Sequence, residues 1–146
     1  MSNKKVVEAL KVSLADSYTL YLKTQNYHWN VTGPQFKGLH TLFEEQYTEL
    51  AGAVDELAER IRALGEKAPG SYREFSKLAT IKEAAGTEDA KTMVTTLKSD
   101  HLKLAQTLTK AIQAAQNAED EGTVDMLGGR IAAHQKQAWM LEATAA

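Results

Sequence analysis

The sequence predicts an all-α protein, a single four-helix bundle with one long middle connection, and three observations carry that prediction. Apolar residues recur at intervals of three and four, the spacing of a helix with one buried face, rather than alternating as in a half-buried strand. Only two prolines occur, Pro34 and Pro69, and each sits with glycine in a breaker cluster, VTGPQFKG and LGEKAPGS. At 146 residues the chain fits one domain, 1–146, with a real core.

The first helix is expected from about Lys4 to Asn30, with Val6, Leu10, Leu14, Tyr18, Tyr21 and Leu22 along one side, ending before the VTGP turn. The second runs from about Gln35 to Leu64 on Leu39, Leu42, Phe43, Leu50, Val54, Leu57, Ile61 and Leu64. The stretch from Gly65 to Gly86 exceeds an ordinary bundle connection, and SYREFSKLA inside it has the pattern of a short extra helix. The third long helix is signalled by GTEDAKTMVTTLKSDHLKLAQTLTKAIQAAQ, with Thr87 as the expected N-cap and Glu88 and Asp89 as acidic first-turn residues. The fourth follows NAEDEGT, from about Glu121 to Ala143, on Val124, Leu127, Ile131, Ala138 and Leu141.

Seventeen basic and nineteen acidic residues leave a formal charge of -2, so no electrostatic signature points to nucleic acid or a membrane surface. The absence of cysteine excludes disulfides, thiolate nucleophiles and zinc–thiolate sites, and fits a reducing compartment. MSNKKVVEALKVSL lacks the continuous apolar run of a secretory signal, and no later segment could span a bilayer. The expectation is a soluble cytoplasmic protein.

The chemistry concentrates in NYHWNVTGPQFKGLHTLFEEQYTEL, residues 26–50. His40 and Glu44 are four apart on a helix and share a face, so they can grip one cation together. Asp55 and Glu59 form a second such pair, on the same stripe, because eleven residues at 100° each return almost to the starting azimuth. Yet the rise of about 1.5 Å per residue separates the pairs by ~16 Å, far beyond the roughly 2 Å of a metal–ligand bond. One helix cannot close this site. A two-fold dimer with its second helices antiparallel could, with His28 completing the nitrogen ligands. No Glu-x-x-His pair of the kind that builds a di-iron centre inside one bundle occurs in the chain. Taken singly, a His-x-x-x-Glu pair is usually a solvated side-chain contact and an Asp-x-x-x-Glu pair commonly an exposed acidic face; together with His28 before the Gly-Pro turn they are more specific. Imidazole and carboxylate without sulfur suit iron, manganese or zinc, and spacing does not choose among them.

YHWNVTGPQFKGLHTLFEEQ, followed by DELAERIRALG and, near the end, AWML, resembles the Dps family of mini-ferritins, and the resemblance covers nearly the whole chain. It implies a ferritin-like four-helix bundle assembled into a hollow dodecamer. It further implies a ferroxidase that oxidises ferrous iron, preferentially with hydrogen peroxide, and stores ferric mineral, protecting the cell from oxidative stress. By position, His28, His40 and Glu44 match the ligands of one subunit, and Asp55 and Glu59 those of its two-fold mate. The family places Asp or Glu at the position of Glu44. Iron is the implied metal, with zinc as a possible substitute. The competing readings are a nucleoid-associated, DNA-condensing protein with secondary metal binding, and a helical assembly stapled by zinc.

Other residues have paired readings. Trp29 could intercept oxidising equivalents beside the metal, or pack an interface. Glu45, Glu49 and Glu56 could nucleate mineral, or line a solvated face. Asp120 and Asp125, with Glu121 beside them, resemble the acidic lining of the family's three-fold iron pore, or compensate a helix N-terminus. His101 and His134 have no partner at ligand spacing and are read as surface or packing residues. GEKAPGS lacks both the lysine and the preceding strand of a phosphate loop. Only Lys4, Lys5 and Lys11 supply basic charge near the N-terminus, and MLEATAA supplies none. Twelve copies at -2 would carry about -24, opposing a polyanion, so DNA binding is expected to be weak or absent.

Overall fold

The structure, a computed structural model, describes residues 3–145. It contains α1 (Lys4–Asn30), α2 (Phe36–Ala63), α3 (Tyr72–Leu78), α4 (Ala90–Asn117) and α5 (Glu121–Ala145). The four long helices and the short extra one fall where the pattern places them, to within two residues at each boundary.

Cross-helix contacts fix the directions. Tyr21 meets Tyr47 and His28 meets His40, so α1 and α2 are antiparallel. Lys98 meets Glu142 and His101 meets His134, which sets α4 against α5 in the same sense. Arg60 reaches Asp120 while Arg130 reaches Glu49, making α2 and α5 antiparallel as well. It follows that α2 and α4 run parallel, and the chain must return the length of a 28-residue helix, about 42 Å, before α4 can begin. That return is the reason for the long middle connection.

The connection is tied down by buried polar groups of α1. Asp16, fully buried, accepts from the Thr80 amide (2.6 Å), the Thr80 hydroxyl (2.7 Å) and the Ile81 amide (3.0 Å). Lys23 donates to the Lys82 carbonyl (2.8 Å) and pairs with Asp100 of α4 at 2.8 Å. A buried charge requires such partners.

Helix ends follow local chemistry. Gly65, at φ +96°, lets the Glu66 amide reach the Ile61 carbonyl and the Gly65 amide reach that of Arg62, closing α2 with a Schellman turn. Ser71 and Glu74 cap α3 reciprocally: Ser71 Oγ accepts from the Glu74 amide, and Glu74 Oε1 accepts from the Gly70 amide and the Ser71 hydroxyl. At α4 the expected cap is corrected. Asp89, not Thr87, is the N-cap, its Oδ1 accepting from the Thr92 amide at 2.8 Å. Glu88 instead folds back over the Gly86 turn to accept from the amides of Ala85, Gly86 and Thr87 and from the Tyr27 hydroxyl of α1. The Tyr27 hydroxyl first, then these amides, pull its pKa down to about 2. Glu88 thereby clamps the end of the long connection to α1.

The core is built from Leu10, Leu14, Leu20 and Tyr27 of α1, Leu39, Phe43, Leu50, Leu57 and Ile61 of α2, and Leu97, Leu104, Leu108, Leu127 and Leu141 of α4 and α5, all fully buried. Leu22 departs from the expected track and lies on the surface, because the 3.6-residue period carries it past the edge of the α1 stripe. Among the described residues, no helix is long and apolar enough to cross a membrane.

Candidate metal centre

His28 closes α1 and His40 lies in the first turns of α2, and the reversal between them is made at Gly33, whose φ of +114° admits few other residues. The two imidazoles stack at 3.7 Å between centroids and 13° between planes. His28 Nδ1 lies 2.6 Å from the His40 carbonyl oxygen, and His40 Nδ1 lies 2.7 Å from that of His28. A carbonyl only accepts, so each Nδ1 carries its proton and donates, and each Nε2 is left with a free lone pair. Both rings are therefore held in the tautomer and orientation of a metal ligand by backbone alone. Phe36 stacks on His40 at 4.9 Å, and Tyr47 sets its ring at 75° to His28 at 5.3 Å. The donor set suits a divalent transition metal.

Glu44 stands one turn beyond His40 on α2 and is exposed, as are Asp55 and Glu59 farther along the same helix. The fold thus unites His28 and His40, leaves Glu44 adjacent, and keeps Asp55 and Glu59 about three turns away. Among the described residues, no three His, Asp or Glu side chains of the one chain converge as a metal site. Trp29 is 61% exposed beside His28 and packs on little of its own chain.

Two further acidic residues are engaged rather than free. Asp120 Oδ1 accepts from the Thr123 amide at the start of α5 and pairs with Arg60 at 2.8 Å, the helix-terminal role. Glu49 grips the guanidinium of Arg130 with both oxygens while keeping one edge in water, so it is paired rather than simply solvated. Asp125, Glu121, Glu45 and Glu56 are exposed.

Of the two readings of His101 and His134, surface or packing, the fold supports packing, and it adds that each is the other's partner across two helices. Both are buried in the bundle, and their Nδ1 atoms lie 2.9 Å apart. Arg130 Nη2 approaches His134 Nε2 at 3.1 Å, and a guanidinium only donates. His134 Nε2 is then an acceptor, His134 Nδ1–H donates to His101 Nδ1, and the His101 proton sits on Nε2, buried without a hydrogen-bond partner. A signal for this pair was present in the sequence: the two residues lie at nearly equal distances from the α4–α5 turn, which an antiparallel hairpin brings level.

Burial, with Arg130 close by, depresses both imidazoles well below their ordinary value. Unfolded histidine titrates at about 6.5, so the unfolded chain binds protons that the folded chain refuses, and stability should fall as pH drops below that point. The expected slope approaches ~1.4 kcal/mol per pH unit for each histidine. Urea midpoints measured from pH 7.5 to 5 should show it, and His134→Gln should reduce it. A midpoint independent of pH over this range, or an unchanged slope in the variant, would contradict the assignment.

Comparison with known proteins bears on the fold and the family. A family model described as a ferritin-like domain matches residues 7–146. DNA protection during starvation protein 2 of Bacillus anthracis is 44% identical over 141 residues, 97% of either chain. The crystal structure of a Dps protein from Bacillus brevis superposes with a TM-score of 0.96 at 40% identity, covering 99% of this chain and 97% of that one. A Dps protein of Vibrio cholerae O1, described as a member of a broad superfamily of ferritin-like diiron-carboxylate proteins, gives a TM-score of 0.94 at 34% identity, over 99% and 91% of the two chains. Fold and matched model together define a ferritin-like protein. Within that class, the chain belongs to the Dps family.

Proposed function

We propose that this chain is the subunit of a ferroxidase cage, in which two copies packed on a two-fold axis with antiparallel α2 helices build two metal sites. His28, His40 and Glu44 come from one chain, and Asp55 and Glu59 from the other. The observation that carries this reading is the reciprocal Nδ1–carbonyl bonding of His28 and His40, which leaves two lone pairs prepared for a metal at one end of α2. The exposed acidic pair at the other end is what an antiparallel copy would bring to them.

Ferrous iron is the substrate. Imidazole nitrogens bind the divalent ion, and the carboxylates favour the product, because added negative charge stabilises the ferric state. Two ferrous ions supply the two electrons that break the O–O bond of hydrogen peroxide: 2 Fe2+ + H2O2 + 2 H+ → 2 Fe3+ + 2 H2O. Consuming both reactants together denies them to hydroxyl-radical chemistry. The cage is a dodecamer that holds the ferric mineral in its cavity and works in the cytoplasm.

Anaerobic ferrous titration followed by peroxide, with ferric formation followed by absorbance, tests this. Glu44→Gln keeps size and helix propensity but removes the charge, so it should assemble normally while ferrous affinity falls about tenfold or more. A Glu44→Gln protein that oxidises iron at the parent rate and affinity removes Glu44 from the ligand set.

The name of the Bacillus anthracis relative favours a second reading, association with DNA. The charge of -2 per chain opposes it. Electrophoretic mobility of plasmid DNA should be unaffected at physiological salt without divalent metal, and retardation under those conditions would reverse this ranking.

A further inference from the structure

Arg130 is buried in the bundle, and the groups that hold its guanidinium are of the kinds that hold a metal ion. Both carboxylate oxygens of Glu49 accept from it, Oε1 from Nη2 at 3.1 Å and Oε2 from Nη1. The Nε2 lone pair of His134 lies 3.1 Å from the same Nη2. Nη2 therefore stands where a carboxylate oxygen of α2 and an imidazole nitrogen of α5 converge. His134 is oriented as a ligating histidine is: its Nδ1–H is spent on His101 Nδ1 at 2.9 Å, which fixes the tautomer and turns Nε2 toward Arg130. Burial keeps both imidazoles neutral, the state that coordinates a metal. One turn before Glu49 on α2, Gln46 is 1% exposed and neither of its side-chain polar atoms has a partner. Glu49 also lines the same groove as Glu44, with Thr41, Glu45 and Thr48, so an ion delivered to the one carboxylate passes near the other.

We propose that Arg130 is a built-in cation that occupies a latent carboxylate–imidazole metal site inside the bundle and keeps divalent metal out of it. With the guanidinium in place, the charge of Glu49 is neutralised and the His134 lone pair is used, so an arriving ion meets a fixed positive charge instead of two free ligands. Arginine keeps that charge at every pH at which a protein is folded, which makes the occupant permanent. Without it, Glu49 and His134 can close on a divalent transition ion. Each lies 3.1 Å from Nη2, and metal bonds of roughly 2.0–2.2 Å ask each to move in by about 1 Å. Gln46 Oε1 offers a further oxygen ligand from the same helix as Glu49. The consequence for iron rests on the ferroxidase reading. An ion in the groove is left to Glu44 and the imidazole pair, where a second chain completes the site, and is not trapped singly inside one bundle. Arg130 thus sets where metal binds and takes no part in its oxidation.

The test uses chains carrying His28→Ala and His40→Ala, refolded with cobalt(II), so that the candidate centre contributes no imidazole and the outcome does not depend on iron oxidation. In that background, Arg130→Ala should bind cobalt at least about 100-fold more tightly than the chain that keeps Arg130, since even residues that only orient ligands are worth 10- to 100-fold. Visible ligand-field bands of a nitrogen- and oxygen-ligated ion should appear with it, and adding His134→Gln should remove them. Arg130→Lys keeps a cation in place and should match the background. Because Arg130→Ala also unpairs Glu49, its urea midpoint should fall, and cobalt should raise it again in this variant alone. A folded Arg130→Ala chain with the affinity and spectrum of the background overturns the proposal. So do bands that survive His134→Gln, and an Arg130→Ala chain that stays unfolded with and without cobalt. Ferric formation by the parent is measured separately, and its absence would overturn the ferroxidase reading while leaving the cobalt result to stand or fall by itself.

Discussion

Assemblies mixed from chains lacking His28 and His40 and chains lacking Asp55 and Glu59 are expected to recover iron oxidation that neither variant shows alone. Each homogeneous variant loses half of every site, and ferrous affinity should fall by at least about 100-fold, since even residues that only orient metal ligands are worth 10- to 100-fold. In a mixed two-fold pair, the intact histidines of one chain face the intact carboxylates of the other. One site per mixed pair is then complete, the second being doubly deficient. Random reassembly should restore about a quarter of the parental sites, because half of the pairs are mixed and each carries one working site of two. Dissociation, reassembly and native mass spectrometry of differently labelled chains would establish mixing, with peroxide-driven ferric formation as the readout. Verified mixed pairs with no recovered oxidation would exclude a site shared between chains.

Removing Glu49 should destabilise the fold far more than removing Glu45, although the two residues are four apart on α2 and chemically alike. Arg130 is 5% exposed, and its guanidinium is held by both oxygens of Glu49 while donating to His134. Glu49→Ala leaves that cation without its carboxylate in the bundle, a change that costs ~3–5 kcal/mol in buried pairs, toward the lower end here because Glu49 keeps one edge in water. Glu45 is exposed, and its replacement should stay within about 0.5 kcal/mol. Urea denaturation of both variants at equal protein concentration decides the matter. Equal midpoints would mean that the Arg130 pair contributes nothing measurable.

The bundle was legible in the chain because a helix reads its own sequence. Apolar spacing placed α1, α2, α4 and α5, and the length from Gly65 to Gly86, with SYREFSKLA inside it, placed the crossover and α3. The N-cap of α4 was misplaced because TED offers two cap residues, Thr87 and Asp89, and the choice between them depends on Tyr27, 61 residues from Glu88, which captures Glu88 and leaves Asp89 at the cap.

The histidine chemistry divides in the same way. Spacing put His40 and Glu44 on one face and put Asp55 and Glu59 beyond reach of the same ion, since helical rise and azimuth follow from counting residues. What counting could not supply is the tautomer of His28 and His40. It depends on two carbonyl oxygens meeting two ring nitrogens across a turn, and hence on how α1 and α2 close together.

Composition and periodicity by themselves therefore determined the helices, their order and the stripe of His40, Glu44, Asp55 and Glu59 on α2, because those properties depend on residues near one another in the chain. The tertiary structure alone decided that His101 hydrogen-bonds His134, that Arg130 holds Glu49, and that four tyrosines touch in series. Apart from the Tyr18–Tyr21 contact within α1, each of these joins side chains from different elements, and such hydrogen bonds and ring contacts form only where packing sets the register between helices.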